Sequence, residues 1–328
     1  MKKIVALLLC ISMCLSMLCV SAFAEDVPSV AIVVAGGLGD RSFYDSANEG
    51  LEELASKYGA VTKVIECKEN GSMYLTGLAD AAEACDIVFA VGWQFVQALP
   101  EAAEGYPDTK FVWIDNALEG DGMANVMSVV YAQNQGSFLV GYIAGKLSKT
   151  GVVGAVGGQD SATINDFMVG YEAGAKYANP DIKVDTRYAN GFEDPASGKE
   201  CALALYDAGC DIVFAVAGKT GEGVFEAAKD TGNYAIGVDS DQKYINPDVI
   251  ICSMVKEVGK SVVDIVENLD ERFQPATIWT ADMATGYIDV GYGDDTMTQQ
   301  VSDELKAEVK ALQEKIISGE ITVPTALN

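Results

Sequence analysis

The sequence predicts an α/β protein of two lobes, each a doubly wound parallel sheet, joined by three hinge crossings. Three observations predict it. The segment Ala84-Cys85-Asp86-Ile87-Val88-Phe89-Ala90-Val91 returns as Gly209-Cys210-Asp211-Ile212-Val213-Phe214-Ala215-Val216, identical at seven of eight positions and 125 residues further on. Apolar runs of strand length alternate with amphipathic stretches of helix length, the pattern of parallel strands buried on both faces and linked by helices. Further apolar runs outside the two copies supply the connections between them.

Other landmarks recur at nearly the same offset. Asp40 and Gly50 correspond to Asp160 and Gly170 at 120 residues, and Phe111–Asp115 corresponds to Ala235–Asp239 at 124. Two copies of one supersecondary plan therefore occupy about 30–115 and 151–239. In the first copy Val30–Ala35 is a strand, Ser42–Tyr58 a helix, Val61–Glu66 a strand and Ser72–Glu83 a helix. Ile87–Val91, the helix Phe95–Glu104 and the strand Phe111–Ile114 complete it. The second copy runs Val152–Gly157, Thr163–Ala178, Lys183–Tyr188, Gly198–Ala208, Ile212–Val216, Gly221–Lys229 and Tyr234–Val238, strand and helix in turn.

The remaining segments connect the copies. Val126–Tyr131 leads into the helix Gly136–Leu147 as a crossing from the first lobe to the second, and Val249–Met254 with the helix Val255–Asp270 carries the chain back. A third crossing is expected near Tyr287–Val290, before an acidic helix Gln299–Ile317 that could sit on either lobe. The expected division is 25–127 with 255–283 for the N-terminal lobe, 132–249 for the C-terminal lobe, and 284–328 for the last crossing and helix.

Residues 1–24 read as an export signal. Lys2 and Lys3 precede the apolar run Ile4–Val20 and the small-residue cleavage site Ala22-Phe23-Ala24. A lipid anchor would need a small residue before the acylated cysteine, yet Cys10, Cys14 and Cys19 follow Leu9, Met13 and Leu18. The expected location is the outer face of the cell membrane or the periplasm. A net charge of −26 repels nucleic acid and anionic membranes, so neither is an expected partner. The five cysteines beyond the signal form an odd set without a C-x-x-C, and suggest neither a disulfide framework nor a zinc site. The chain has no histidine, which removes the commonest general base and the commonest metal ligand. The expectation is a binder with no cofactor and no metal, acting as a monomer.

In open parallel sheets the loops at the carboxyl ends of the strands line the binding crevice. They are Gly36–Phe43, Gly92–Phe95, Asp115–Asn116, Gly158–Phe167, Ala217–Gly221 and Asp239–Gln242. Phosphate-binding spacings are absent from them. Asp40, Asp115 and Asp239 end strands or enter these loops, where a carboxylate accepts two hydrogen bonds from a vicinal diol or one from a base N–H, or else caps the next helix. Phe43 and Phe167 lie early in the first helix of each lobe and face one another if the lobes close. Two aromatic faces suit a planar ring, and a place in the core is the alternative. Lys256, expected at a helix N-terminus against the macrodipole, reaches back to the cleft or else is solvated.

These residues resemble a known family. Gly36 and Asp40 with Ser42-Phe43, Asn134 with Ser137-Phe138-Leu139 and Gly141-Tyr142, Ala217-Gly218 with Thr220-Gly221 and Gly223-Val224-Phe225, Ile236-Gly237-Val238-Asp239-Ser240-Asp241-Gln242, and Ser253-Met254 with Lys256 are similar to the basic membrane protein family of ABC transporter substrate-binding proteins. The resemblance implies a class I periplasmic-binding-protein-like fold, a small-molecule ligand, most typically a purine nucleoside, and an ABC permease as partner. It implies that Asp40 and Asp115 contact the base, that Phe43 and Phe167 stack on it, and that Gly218, Asp239 and Lys256 hold the ribose, the last two as a pair. Tyr44 and Trp93 depart from the family pattern, which favours asparagine and a phenylalanine-like residue there. The alternatives are a sugar-binding protein, a ligand-sensing receptor input, or an enzyme of the nucleoside hydrolase kind.

Overall fold

The computed structural model describes residues 27–118 and 120–327; the export signal expected at 1–24 lies outside them. Two six-stranded sheets form, one per lobe. The first takes β1 (Val30–Val34), β2 (Thr62–Glu66), β3 (Ile87–Val91), β4 (Lys110–Ile114), β5 (Val126–Tyr131) and β11 (Ile278–Ala281) in the order β2-β1-β3-β4-β5-β11. The second takes β6 (Val152–Gly157), β7 (Lys183–Tyr188), β8 (Ile212–Val216), β9 (Tyr234–Asp239), β10 (Ile250–Lys256) and β12 (Ile288–Gly291) in the order β7-β6-β8-β9-β10-β12. Pairing is parallel throughout except for β10 with β12. The repeat read from sequence is therefore a repeat of strand order, and the twin IVFAV segments are the buried third strands β3 and β8.

Helices α1 (Phe43–Tyr58), α2 (Tyr74–Ala82) and α3 (Ala98–Gly105) cover the first sheet, and α5 (Ala162–Ala178), α6 (Pro195–Asp207) and α7 (Glu222–Thr231) the second. Helix α4 (Gln133–Leu147) follows β5 and packs on α5; α8 (Val258–Glu267) follows β10 and packs on α1. Each crossing strand thus belongs to the lobe it leaves, and the helix after it to the lobe it enters. Gly50 and Gly170 mark these two contacts: a Cβ on Gly50 would lie 2.4 Å from the Gly259 carbonyl oxygen, and one on Gly170 would lie 2.2 Å from that of Asn134. Only glycine admits such backbone-to-backbone approach, which is why the pair recurs in the two copies.

Several expectations are corrected. Lys256 does not begin a helix; it is the last residue of β10, because pairing with β12 extends that strand past Met254. The helix expected over Val255–Asp270 starts at Val258 and breaks at Asn268, before the short α9 (Leu269–Arg272). The third crossing is the turn between β11 and β12. Residues Ile288–Gly291 are already a strand of the second sheet, and β11, with its half-exposed IWTA sequence, carried no clear period. The last helix, α10 (Asp303–Ile317), begins after Ser302, whose side chain accepts from Leu305 N–H, and it packs Leu305, Val309, Leu312 and Ile316 toward α4 on the second lobe. Among the described residues no helix is long and apolar enough to cross a membrane.

Candidate functional site

A cavity lies between the lobes at the carboxyl ends of the strands, where open parallel sheets bind their ligands. All seven residues expected from sequence line it: Asp40, Phe43, Asp115, Phe167, Gly218, Asp239 and Lys256. The lobes meet over it through direct bonds. Ser42 Oγ, on the first lobe, donates to Asp239 Oδ2 at 2.8 Å, Gly37 N–H donates to Glu193 at 2.9 Å, and Phe192 N–H donates back to Glu69 at 3.1 Å.

Lys256 organises the charge. Its ammonium is 1% exposed and lies 2.7 and 2.8 Å from the two carboxylate oxygens of Asp115. It also sits 4.8 Å from the Phe43 ring centroid, 4.9 Å from that of Tyr131 and 5.2 Å from that of Phe167. One cation therefore gathers an aromatic ring from each lobe, at distances where the ring quadrupole attracts it. Lys256 and Asp239, which the resemblance sets together around a ribose, both line the cavity, and the carboxylate bonded directly to Lys256 is Asp115.

The three aspartates differ in what they have left to offer. Asp40 accepts from the N–H groups of Ser42, Tyr44 and Asp45, each at 3.0 Å, so its side chain caps the start of α1 while lining the cavity. Burial outweighs these donors and pushes its carboxyl up to about 7. Asp115 spends both oxygens on Lys256. Asp239 uses only Oδ2, and its buried Oδ1 has no partner. Burial raises the Asp239 pKa, against the lowering effect of nearby Lys256. Asp115 and Asp239 both hold left-handed backbone, with φ of 74° and 62°. Non-glycine residues kept there are strained, and such strain gathers at ligand clamps.

Sequence reasoning missed Phe192 and left Trp93, Gln94, Thr163 and Lys219 unassigned, although all line the cavity. Phe192 lies in the loop after β7, a strand end that obeys the same topological rule as the six loops that were chosen. Trp93 and Gln94 fall in the short turn Trp93–Val96 after β3.

Two similar α/β lobes with a cavity between them, walled by aromatic rings and a few charged side chains, have the architecture of a solute-binding protein. The chain belongs to the Bmp family, "ABC transporter substrate-binding protein PnrA-like", whose model matches residues 27–326. It is 35% identical to basic membrane protein A of Borreliella burgdorferi over 310 residues, 93% of this chain and 90% of that one. It is 34% identical over 323 residues to a protein of Lactococcus lactis named an ABC transporter nucleoside-binding protein, covering 92% of this chain and 90% of that one. Among solved structures it is similar to an ABC transporter solute-binding protein of Aeropyrum pernix, with TM-score 0.82 and 26% identity over 92% of this chain and 94% of that one. Members of this family are solute receptors of ABC transporters that work outside the cytoplasm.

Proposed function

We propose that the interlobe cavity captures a purine nucleoside and hands it to the permease of an ABC importer, without turnover. The observation that carries the reading is the unpartnered, buried Oδ1 of Asp239 in a cavity walled by Phe43 and Phe167. A buried carboxylate oxygen left bare costs about 1–3 kcal/mol or more, and a ribose hydroxyl supplies the missing donor. The two rings supply apolar faces for a base, and Lys256 retains N–H capacity and a place between them. The likeness to the nucleoside-binding relative supports the same ligand class. Capture without turnover is favoured by the family, whose members are solute-binding proteins, and by the lack of histidine, the commonest general base. The protein is taken to act as an exported monomer.

The test is calorimetry of the full mature chain with inosine, guanosine and adenosine beside free hexoses and pentoses, with chromatography of the mixtures. Nucleoside binding with no release of free base is the expected result. Binding of a free sugar alone would replace the reading, and base release in proportion to protein would make the protein a hydrolase.

A further inference from the structure

The polar atoms of the cavity can be sorted by whether they are already partnered. Asp40 and Asp115 are committed to amides and to Lys256. Three buried atoms in the lining have no partner: Asp239 Oδ1, Trp93 Nε1 and Gln94 Oε1. One donor and one acceptor thus stand on adjacent residues of the turn after β3. That turn is held rigidly. Gly92, just before it, has a φ of 124°, and its carbonyl accepts from Trp113 Nε1 at 2.9 Å. Gln94 folds back on the same glycine, so that a Cβ on Gly92 would lie 2.5 Å from Gln94 Oε1. Trp93 closes the wall between this cavity and the crevice on the hinge side, and lines both.

We propose that Trp93 and Gln94 are the specificity-determining pair of the cleft: Trp93 Nε1 donates to an acceptor on the base edge, and Gln94 Oε1 accepts from a neighbouring N–H. The proposal rests on the nucleoside reading and deepens it. Asp239 takes the sugar hydroxyl, so the base must bring one acceptor and one donor. A purine with a hydrogen at N1 or on a 6-amino group satisfies both. A purine bearing only acceptors leaves Gln94 Oε1 buried and bare, and a site built around a hydrogen bond discriminates strongly against a ligand that cannot make it.

The experiment compares inosine with purine riboside, which has the same ring and sugar but no N–H on its base, against wild type, Gln94→Met and Trp93→Phe. Wild type should prefer inosine by about 10- to 100-fold. Gln94→Met should abolish that preference, weakening inosine and leaving purine riboside bound at least as tightly as in the wild type, which also shows that the variant is folded. Trp93→Phe keeps an aromatic wall and loses the donor, so it should weaken both ligands by about tenfold while the ratio persists. A wild type that binds both ligands equally, or a Gln94→Met variant that keeps the ratio, overturns the proposal and leaves the nucleoside reading standing. A wild type that binds neither nucleoside but takes a free sugar brings down both.

Discussion

Asp115 and Asp239 are the same residue of the repeat, 124 positions apart, and each leaves its strand through a left-handed backbone conformation, yet only one is charge-paired. The Lys256 ammonium bonds both oxygens of Asp115, while Asp239 takes a single bond from Ser42 of the opposite lobe. Duplication supplied two equivalent carboxylates, and one lysine at the end of β10 split their roles: one anchors the cation, the other faces the cavity.

A pair so buried is costly to break and cheap to replace whole. Lys256→Met should destabilise the ligand-free protein by about 3–5 kcal/mol, because Asp115 is left uncompensated. The double variant Lys256→Met with Asp115→Asn should recover most of that loss. Urea unfolding of the wild type, both single variants and the double variant measures the coupling. Additive losses would mean that the pair is solvated and worth little.

The absence of histidine leaves the pH range above 5 to buried carboxyls. Burial raises Asp40 from its ordinary 3.8 to about 7, and raises Asp239 as well. The folded protein therefore holds protons that the unfolded chain releases near pH 4, and its stability falls as pH rises through that window. The melting temperature of the ligand-free protein should decline from about pH 5 to about pH 7.5, and Asp40→Asn should flatten the decline. Carboxyls held low, such as Asp86 and Asp294, titrate below this range and do not oppose it. Stability that climbs with pH across the interval would contradict the assignment.

The legible part of this molecule was what repeats. Parallel strands buried on both faces have nothing but apolar residues to show, so β3 and β8 announced themselves, and Gly50 and Gly170 recurred because two helix contacts recur. All seven residues expected from the strand ends, from Lys256 beside its strand and from the family resemblance line one cavity. Illegible was anything decided by partner choice. That Lys256 ends a strand instead of opening a helix depends on pairing with β12, more than 30 residues away in sequence. Phe192 was missed for a simpler reason: β7 was read correctly as Lys183–Tyr188, but it is a half-exposed edge strand and the loop after it was left out of the crevice.

Closure itself has a rim device. Glu193 on the second lobe accepts from Gly37 N–H on the first, and Glu69 on the first accepts from Phe192 N–H on the second. The two carboxylates are close enough that Glu193 helps to raise the pKa of Glu69. Each bond competes with water, so Glu69→Ala with Glu193→Ala should weaken ligand binding only about 2- to 10-fold. Small-angle scattering of the ligand-free double variant should report a larger radius than the wild type. An unchanged radius and affinity would assign closure to the inner contacts alone.

Those inner contacts meet at Asp239. Its Oδ2 receives Ser42 from the opposite lobe and its buried Oδ1 has no partner, so under the proposed function one carboxylate would couple closure to capture. Charge-assisted bonds of this kind contribute about 1.5–3 kcal/mol each, so Asp239→Ala should weaken nucleoside binding by about tenfold to several thousandfold. Phe43→Leu removes a ring and keeps an apolar wall. It should cost about 1–3 kcal/mol of base stacking by analogy with aromatic platforms for single strands, or roughly 5- to 150-fold. The comparison separates sugar from base: ribose alone should feel Asp239→Ala and ignore Phe43→Leu, whereas the nucleoside should lose affinity in both. Calorimetry with inosine and with ribose on the two variants decides it. Inosine binding that survives Asp239→Ala at wild-type strength would remove the carboxylate from the site.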